Sequence, residues 1–147
     1  MDLVTGGAGF IGSHLVDALV VQGKEVRVID NFSSGREEFL SHHQGSESVE
    51  VYRGDLLDRD EVMSAMEGIE TVHHLAANPD IRLGTEVTDT DLRQGTMATY
   101  NILEAMRLSG VSRISFASSS AVYGEAGVMP TPEDYGPVMP IYLYGAS

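Results

Sequence analysis

The chain has 147 residues, of which 42% are hydrophobic, and its 22 acidic and nine basic residues give a formal net charge of −13. This length predicts one domain with a buried core, and the negative charge disfavours nucleic acids and anionic membranes as partners. Since cysteine is absent, disulfides and thiol chemistry are excluded. No apolar run reaches membrane length, so no membrane segment is predicted, and a cytoplasmic location follows by default.

The first elements are a strand, a helix and a second strand. A short strand is predicted at Leu3-Val4, and it ends at a glycine-rich stretch. Apolar residues then recur at helical spacing from Ile11 to about Gln22, and Gly23 is a natural stop for this helix. The stretch EVRVID alternates as a second strand that ends at Asp30, and a polar loop follows with one helical turn around residues 37–41.

Three further strands are predicted at VEVYRGD, ETVHHLAA and VSRISFASSS. The helix between strands three and four begins at Asp58 or Asp60 and runs to about Met66, and the longest helix runs from Asp89 to Ser109. One apolar stripe of that long helix contains Leu92, Thr96, Thr99, Leu103 and Met106. A loop rich in glycine and proline follows strand five.

Strands that alternate with helices indicate right-handed βαβ units and a parallel sheet with helices on both faces. The sequence therefore predicts an α/β fold, a Rossmann-type doubly wound parallel sheet in three α/β/α layers with strand order 3-2-1-4-5. In such a sheet a ligand binds at the carboxyl ends of the strands, beside strand one.

The stretch TGGAGFIGSH lies between strand one and helix one and satisfies the dinucleotide pattern G-x-G-x-x-G through Gly7, Gly9 and Gly12. These glycines permit a tight turn and close packing, and they place a pyrophosphate at the N-terminus of helix one. Asp30 follows about 20 residues later, where a carboxylate accepts hydrogen bonds from the adenosine ribose and repels a 2′-phosphate. The pattern thus favours NAD over NADP, and the alternative is a purely structural glycine turn.

Six motifs occur in the order and at the spacing typical of the extended short-chain dehydrogenase/reductase superfamily: TGGAGFIGSHL, DNFSSG, GDLLD, LAAN, FASSSAVYGE and YGAS. The chain resembles this superfamily along essentially its whole length, and within it the NAD-dependent sugar-nucleotide epimerases that interconvert UDP-glucose and UDP-galactose. The resemblance implies that NAD contacts Gly6, Gly9, Phe10, Ile11 and Gly12 at the pyrophosphate, Asp30, Asn31, Ser33, Ser34 and Gly35 at the adenosine ribose, Asp55 and Leu56 at the adenine, Leu75, Ala76 and Ala77 at its middle, and Ala117, Ser118 and Tyr144 near the nicotinamide.

The same resemblance implies the catalytic residues. Tyr144 matches the tyrosine of a Tyr-x-x-x-Lys motif, and Ser119 matches the partner hydroxyl, with Ser118 and Ser120 as neighbouring registers. The lysine of the motif would follow Ser147, and a C-terminal domain that binds the UDP-hexose substrate would lie beyond it. The resemblance thus implies that residues 1–147 are a truncated NAD-binding Rossmann domain, inactive alone, from an enzyme that forms a homodimer when full length.

Two positions depart from the superfamily's patterns. Gly95 occupies the place of an asparagine that supports the nicotinamide end of the site, which indicates altered catalysis, a local irregularity of the helix or a different register. Ser120 and Ala121 stand where dehydratases carry an Asp-Glu pair, which disfavours dehydration of a sugar nucleotide. The alternatives to an epimerase are a sugar or alcohol dehydrogenase or reductase of the same superfamily and a non-catalytic NAD-binding module.

The remaining histidines and Arg82 are expected to have structural roles. One of His73 and His74 is predicted in the core and the other against a helix, while the neighbouring His42 and His43 are predicted to be solvated. No metal site is therefore predicted. Arg82 is expected to form a surface ion pair.

Overall fold

Five short strands form one parallel sheet in the computed structural model, which describes residues 1–147. The strands are β1 (Asp2–Thr5), β2 (Val26–Asp30), β3 (Val49–Arg53), β4 (Thr71–His74) and β5 (Arg113–Phe116). Their order is β3-β2-β1-β4-β5, which confirms the predicted Rossmann-type order 3-2-1-4-5. All four pairings are parallel, so a crossover connection joins each strand to the next.

Helices occupy most of these connections. The α-helices are α1 (Phe10–Val21), α2 (Arg59–Ala65), α3 (Leu83–Glu86), α4 (Ala98–Ser109) and α5 (Leu143–Ala146). Two 3₁₀ helices, Glu37–His43 and Ser120–Tyr123, lie in the longer loops. None of the helices combines the length and the apolar composition that crossing a bilayer requires.

The helix ends follow local chemical signals. The side chain of Asp58 caps α2 by accepting hydrogen bonds from the N–H groups of Asp60 and Glu61, so of the two predicted caps Asp58 is the one used. Gly23 follows α1 with a φ of +76°, a left-handed conformation that ends a helix at little cost. The ladders of β4 and β5 stop at His74 and Phe116, earlier than predicted, because the residues after them leave the sheet and form loops at its carboxyl edge.

A hydrophobic core lies on each face of the sheet, and β1 contributes to both because its side chains alternate. Leu3 packs into the cluster under α2 and α4, whereas Val4 packs into the cluster under α1. The first cluster contains Leu3, Ile29, Leu56, Val62, Ala65, Met66, Ile69, Val72, Ala98, Ile102, Ala105 and Met106. The second contains Val4, Ala8, Val16, Leu19, Val26, Val28 and Leu40.

The long helix predicted from Asp89 to Ser109 is not uniform. Its middle segment, Leu92–Met97, has π-helical hydrogen bonding, and the regular helix α4 begins only at Ala98. A π segment changes the angular register of the side chains, so the apolar stripe inferred for one continuous α-helix is wrong at Leu92 and Leu103, which are about half exposed. The buried residues of α4 are Ala98, Asn101, Ile102, Ala105 and Met106.

Candidate functional site

The glycine loop between β1 and α1 brings three backbone segments into close contact. Gly6 has a φ of +68°, and a Cβ added to it would lie 2.9 Å from the Cα and N atoms of Ala76. A Cβ on Gly12 would lie 2.2 Å from the carbonyl oxygen of Gly6, so the first turn of α1 packs directly on the loop. No side chain caps the N-terminus of α1 at Gly9, which leaves its first N–H groups available to an anion.

The Asp30 carboxylate lies at the end of β2 and is held by backbone N–H groups. Ala8 N donates to Oδ2 over 2.9 Å, and Phe32 N donates to Oδ1 over 2.8 Å. Phe32 has a φ of +57°, and this turn carries the chain back over the glycine loop, where Arg36 N donates to Ala8 O over 2.9 Å. The glycine loop and the loop after β2 therefore enclose one buried carboxylate.

The loops after β2 and β3 are also joined. The amide of Asn31 donates to Asp55 Oδ2 over 3.4 Å, and Asp55 accepts a hydrogen bond from Leu57 N through Oδ1 over 2.9 Å. The backbone N–H of Asp55 in turn donates to the carboxylate of Glu61 over 2.7 Å. These bonds fix the position of Asp55 between the two loops.

A cleft of about 360 Å³ lies at the carboxyl ends of β1, β2, β3 and β4, as the strand order predicts. Of the residues proposed from sequence for the cofactor, it is lined by Gly6, Gly9, Phe10, Ile11, Gly12, Asp30, Asn31, Ser33, Ser34, Gly35, Asp55, Leu56, Leu75, Ala76, Ala77 and Ala117. Five further lining residues are absent from the sequence proposal: Ile29, Gly54, Pro79, Gln94 and Ala98. Ile29 directly precedes Asp30, and Gly54 directly precedes Asp55. This proximity to proposed residues is the only sequence signal that could have indicated them. Gln94 and Ala98 reach the cleft through the irregular start of the long helix.

The floor of the cleft rests on a hydrogen-bonded network of buried side chains. Thr5 Oγ1 accepts hydrogen bonds from the N–H groups of Leu75 and Ala76, and it lies 2.7 Å from His74 Nδ1. His74 Nε2 lies 3.0 Å from Thr99 Oγ1 on α4. Since the Thr5 oxygen already accepts two N–H groups, its hydroxyl donates to Nδ1, and His74 carries its proton on Nε2. Burial lowers the pKa of His74 from about 6.5 to about 4, so the ring is neutral at pH 7.

A second, smaller cavity of about 160 Å³ adjoins the cleft and contains the proposed catalytic side chains. Ser118, Ser119 and Tyr144 line it, so two of the residues proposed for the nicotinamide end, Ser118 and Tyr144, lie here rather than in the cleft. Ala76, Ala77 and Ala117 line both spaces, so the cavity lies directly beside the cleft.

The turn that carries Ser119 and the helix that carries Tyr144 pack against each other. Ser119 precedes the 3₁₀ helix Ser120–Tyr123, and its Oγ accepts a hydrogen bond from Ala121 N over 3.2 Å. On α5, a Cβ added to Gly145 would lie 2.6 Å from Ala121 O, so this contact leaves no room for a side chain. The packing places the serine and the tyrosine on one cavity although 24 residues separate them in the sequence.

Gly95, the departure noted from sequence, also lines the second cavity. It lies within the π-helical segment Leu92–Met97, so the helix is irregular at this position. A Cβ on Gly95 would lie 2.6 Å from Ser147 Oγ, and Thr96 Oγ1 donates to the carbonyl oxygen of Ser147 over 3.2 Å. The segment after Tyr144 thus occupies the space into which a side chain at position 95 would project.

The histidine pairs and Arg82, singled out from the sequence, all have polar partners. His74 is in the core, as predicted for one of its pair, and His73 Nε2 lies 3.3 Å from the carboxylate of Asp2. Arg82 forms the expected surface ion pair, with Asp80. His42 and His43 both contact one carboxylate, that of Asp17 on α1. The His42 side chain is exposed, as expected, whereas that of His43 is only 11% exposed, which corrects the expectation for His43.

Comparison with known proteins agrees with this geometry. A profile of the NAD dependent epimerase/dehydratase family matches residues 3–147. A putative UDP-glucose 4-epimerase of Methanocaldococcus jannaschii is 38% identical over 151 residues, which span 100% of this chain and 47% of that protein. Two crystal structures match 99% of this chain and 46% of their own: a UDP-galactose 4-epimerase with 50% identity and a TM-score of 0.83, and a Thermus thermophilus UDP-glucose 4-epimerase in complex with NAD, with 36% identity and a TM-score of 0.88.

Other relatives carry the names of different reactions, among them UDP-glucuronic acid decarboxylases and a dTDP-glucose 4,6-dehydratase. The chain spans about half the length of the epimerases and 32% of the decarboxylase of Danio rerio. The family profile matches residues 3–147, and the sheet order and the glycine loop agree with membership of that family. The chain belongs to the NAD dependent epimerase/dehydratase family.

Proposed function

We propose that residues 1–147 form the NAD-binding part of a longer enzyme that interconverts UDP-glucose and UDP-galactose. The observation that carries this proposal is that the cavity of Ser119 and Tyr144 adjoins the cleft and shares three alanine walls with it. A cofactor bound along the cleft would have its far end beside the cavity that holds these two hydroxyl groups. The names of the similar epimerases support a nucleotide sugar as the substrate.

The residues of the cleft fit NAD. The uncapped N-terminus of α1 offers N–H groups to the pyrophosphate, and no lysine or arginine lines the cleft, so the backbone and the helix dipole must bind this anion. The Asp30 carboxylate lies at the end of β2, where it can also accept hydrogen bonds from ribose hydroxyls. A 2′-phosphate beside this carboxylate would be repelled, which favours NAD over NADP.

Bound NAD would supply the hydride acceptor for C4 of the sugar and the donor that returns the hydride to the opposite face. The phenol oxygen of Tyr144 removes the proton of the C4 hydroxyl and later gives it back, which requires neighbouring positive charge to favour the phenolate. In the proposed full-length enzyme a lysine in the position after Ser147 supplies part of that charge. Ser119 Oγ already accepts the N–H of Ala121, so its own hydrogen is free to bind the C4 oxygen and orient it.

The decisive experiment uses the full-length gene product with catalytic NAD and UDP-galactose, and it measures the appearance of UDP-glucose. Interconversion without net formation of NADH supports the epimerase. Stoichiometric NADH from an alcohol substrate would instead identify a dehydrogenase, and loss of CO₂ from UDP-glucuronic acid would identify a decarboxylase. A protein that binds NAD but transforms none of these substrates would be a non-catalytic module, an alternative that Gly95 makes worth testing.

The role of Tyr144 is tested by Tyr144→Phe, with Tyr142→Phe as the matched control because Tyr142 lies outside the cavity in the same short segment. We expect Tyr144→Phe to lower kcat by a factor of about 10² to 10⁴, the usual contribution of a general base, with NAD affinity nearly unchanged. Tyr142→Phe should leave both kcat and the affinity for NAD unchanged. Equal turnover by the two variants would remove Tyr144 from its proposed role.

A further inference from the structure

Three potential metal ligands converge outside the cofactor site. Asp17 lies on α1, and His42 and His43 end the 3₁₀ helix Glu37–His43. Asp17 Oδ1 is 2.7 Å from His42 Nε2 and 2.6 Å from His43 Nε2, and the two imidazole rings lie 4.1 Å apart. None of the three residues lines the cleft or the cavity of Tyr144. Nothing in the proposed epimerase reaction uses them.

The spacing of the ligand atoms is close to that of a tetrahedral metal site. One ligand atom from each of the three residues, a carboxylate oxygen and two ring nitrogens, lies within 4.8 Å of the other two. Ligands bound at about 2.0–2.1 Å around a tetrahedral ion lie about 3.3 Å apart. The carboxylate oxygen would retreat by about 0.6 Å from each nitrogen, a shift that small side-chain rotations supply.

We propose that Asp17, His42 and His43 bind a divalent transition-metal ion, Zn²⁺ in particular, with water as the fourth ligand. Two imidazole nitrogens and one carboxylate are ligands that suit Zn²⁺. Ca²⁺ and Mg²⁺ need six or more oxygen ligands or a nearly complete water shell, so a site with two nitrogens does not favour them.

The electrostatics of the cluster favour a cation. The Asp17 carboxylate is already turned toward both imidazole rings. The chain's net charge of −13 adds a general attraction for divalent cations. Metal binding breaks the two N–H···O hydrogen bonds and forms three coordinate bonds, and each Nε2 proton moves to Nδ1 of its ring or is released to solvent.

Such an ion would join two elements that both border the cofactor cleft. The N-terminal residues of α1 line the cleft, and the 3₁₀ helix continues directly from the loop of Ser33, Ser34 and Gly35, which lines it as well. Asp17 and His42 are 25 residues apart in the sequence, so the ligand set exists only in the folded chain. Binding to the folded state alone stabilises it by mass action.

The test is a Zn²⁺ titration of tag-free protein by calorimetry, together with thermal unfolding in Zn²⁺ and in EDTA. We expect one Zn²⁺ per chain and a higher Tm with Zn²⁺ than with EDTA. Asp17→Asn and His42→Ala should each weaken binding at least about tenfold, because each removes one of three protein ligands. His14→Ala is the matched control, since His14 is an exposed histidine on α1 outside the cluster.

Two results would overturn the proposal. One is the absence of saturable binding at about 100 µM Zn²⁺. The other is binding that Asp17→Asn and His42→Ala leave unchanged, which would place the ion elsewhere. Asp17→Asn keeps a carbonyl oxygen for the histidine hydrogen bonds and is decisive if His42→Ala does not fold. Circular dichroism of each variant in EDTA verifies the fold independently of the metal.

Discussion

At the scale of single residues, Asp30 has two functions that use the same carboxylate. Its oxygens accept the N–H groups of Ala8 and Phe32, which fixes the geometry of both loops around the cleft. A carboxylate oxygen has a second lone pair, so each oxygen can also accept a ribose hydroxyl. The sequence identified the residue from its spacing to the glycine loop. It could not reveal the bond to Ala8, which depends on how the two loops meet.

We expect Asp30→Ala to weaken NAD binding by about 10-fold to 100-fold, because hydrogen bonds to a charged group contribute about 1.5–3 kcal/mol. The preference for NAD over NADP should also decrease, since the repulsion of a 2′-phosphate is lost. Calorimetric titration with both cofactors measures these changes. Asp60→Ala, a removal of equal charge on the exposed start of α2, should affect neither. Unaltered NAD affinity in Asp30→Ala would place the ribose elsewhere.

His74 is the second residue whose protonation matters, because it connects β1 and β4 to α4 through Thr5 and Thr99. Its ring is buried and lies 5.6 Å from the ring of Phe116. In its charged form both ring nitrogens are donors, so Nδ1 would face the Thr5 oxygen that already accepts two backbone N–H groups. The network accommodates only the neutral ring.

This network predicts a loss of stability in mild acid. The pKa of His74 is about 4 in the folded protein and about 6.5 in the unfolded chain, so the unfolded chain binds more protons between these values. The free energy of unfolding should therefore fall as the pH drops from about 6.5 to about 4, by about 3 kcal/mol from this group. Urea unfolding at several pH values measures this change in the free energy of unfolding. His74→Gln should be less stable at pH 7 and should lack this part of the pH dependence. If the stability of the wild type and of the variant changed with pH in parallel, His74 would not be the group responsible.

At the scale of elements, the glycine loop and the long helix differ in how far sequence determines them. Glycines at fixed spacing between a strand and a helix are needed for local steric reasons, namely a tight turn and close packing. The loop and its proposed role in binding a pyrophosphate could therefore be predicted from the sequence. For the long helix, Gly95 indicated a local irregularity as one of three readings, but the bounds of the π segment Leu92–Met97 and its change of register could not be predicted. The stripe predicted for this helix was therefore wrong at Leu92 and Leu103, although Met106 is buried as predicted.

The contact of α1 with the glycine loop gives a prediction at this scale. Gly12→Ala would place a methyl group 2.2 Å from the Gly6 carbonyl oxygen and 2.7 Å from Gly7 Cα, which are backbone atoms that cannot rotate away. We expect a loss of about 3 kcal/mol in the free energy of unfolding, together with loss of NAD binding, because α1 must move off the loop. Gly127→Ala is the control, since a Cβ there meets no atom within 4 Å. Equal denaturation midpoints for the two variants would show that α1 is not held against the loop.

At the scale of the whole molecule, charge and topology explain why some features were predictable. Six arginines form ion pairs with acids, and a large excess of acidic side chains remains, which the net charge of the sequence already implies. The sheet order follows from the alternation of strands and helices along the chain. The cluster of Asp17 with His42 and His43 is different, because it combines two elements whose relative rotation no pattern in the sequence encodes.

The central position of β1 has a consequence for the order in which the protein folds. β1 pairs with β2 across 24 residues but with β4 across 69, as Asp2 aligns with both Val26 and Thr71. Closing the longer loop costs more chain entropy, so the half-sheet β3-β2-β1 has the more local contacts and is expected to assemble first. Ala76 and Ala77 reach the cleft only when β4 docks beside β1. Competence to bind the cofactor is therefore acquired late in folding, after much of the secondary structure has formed.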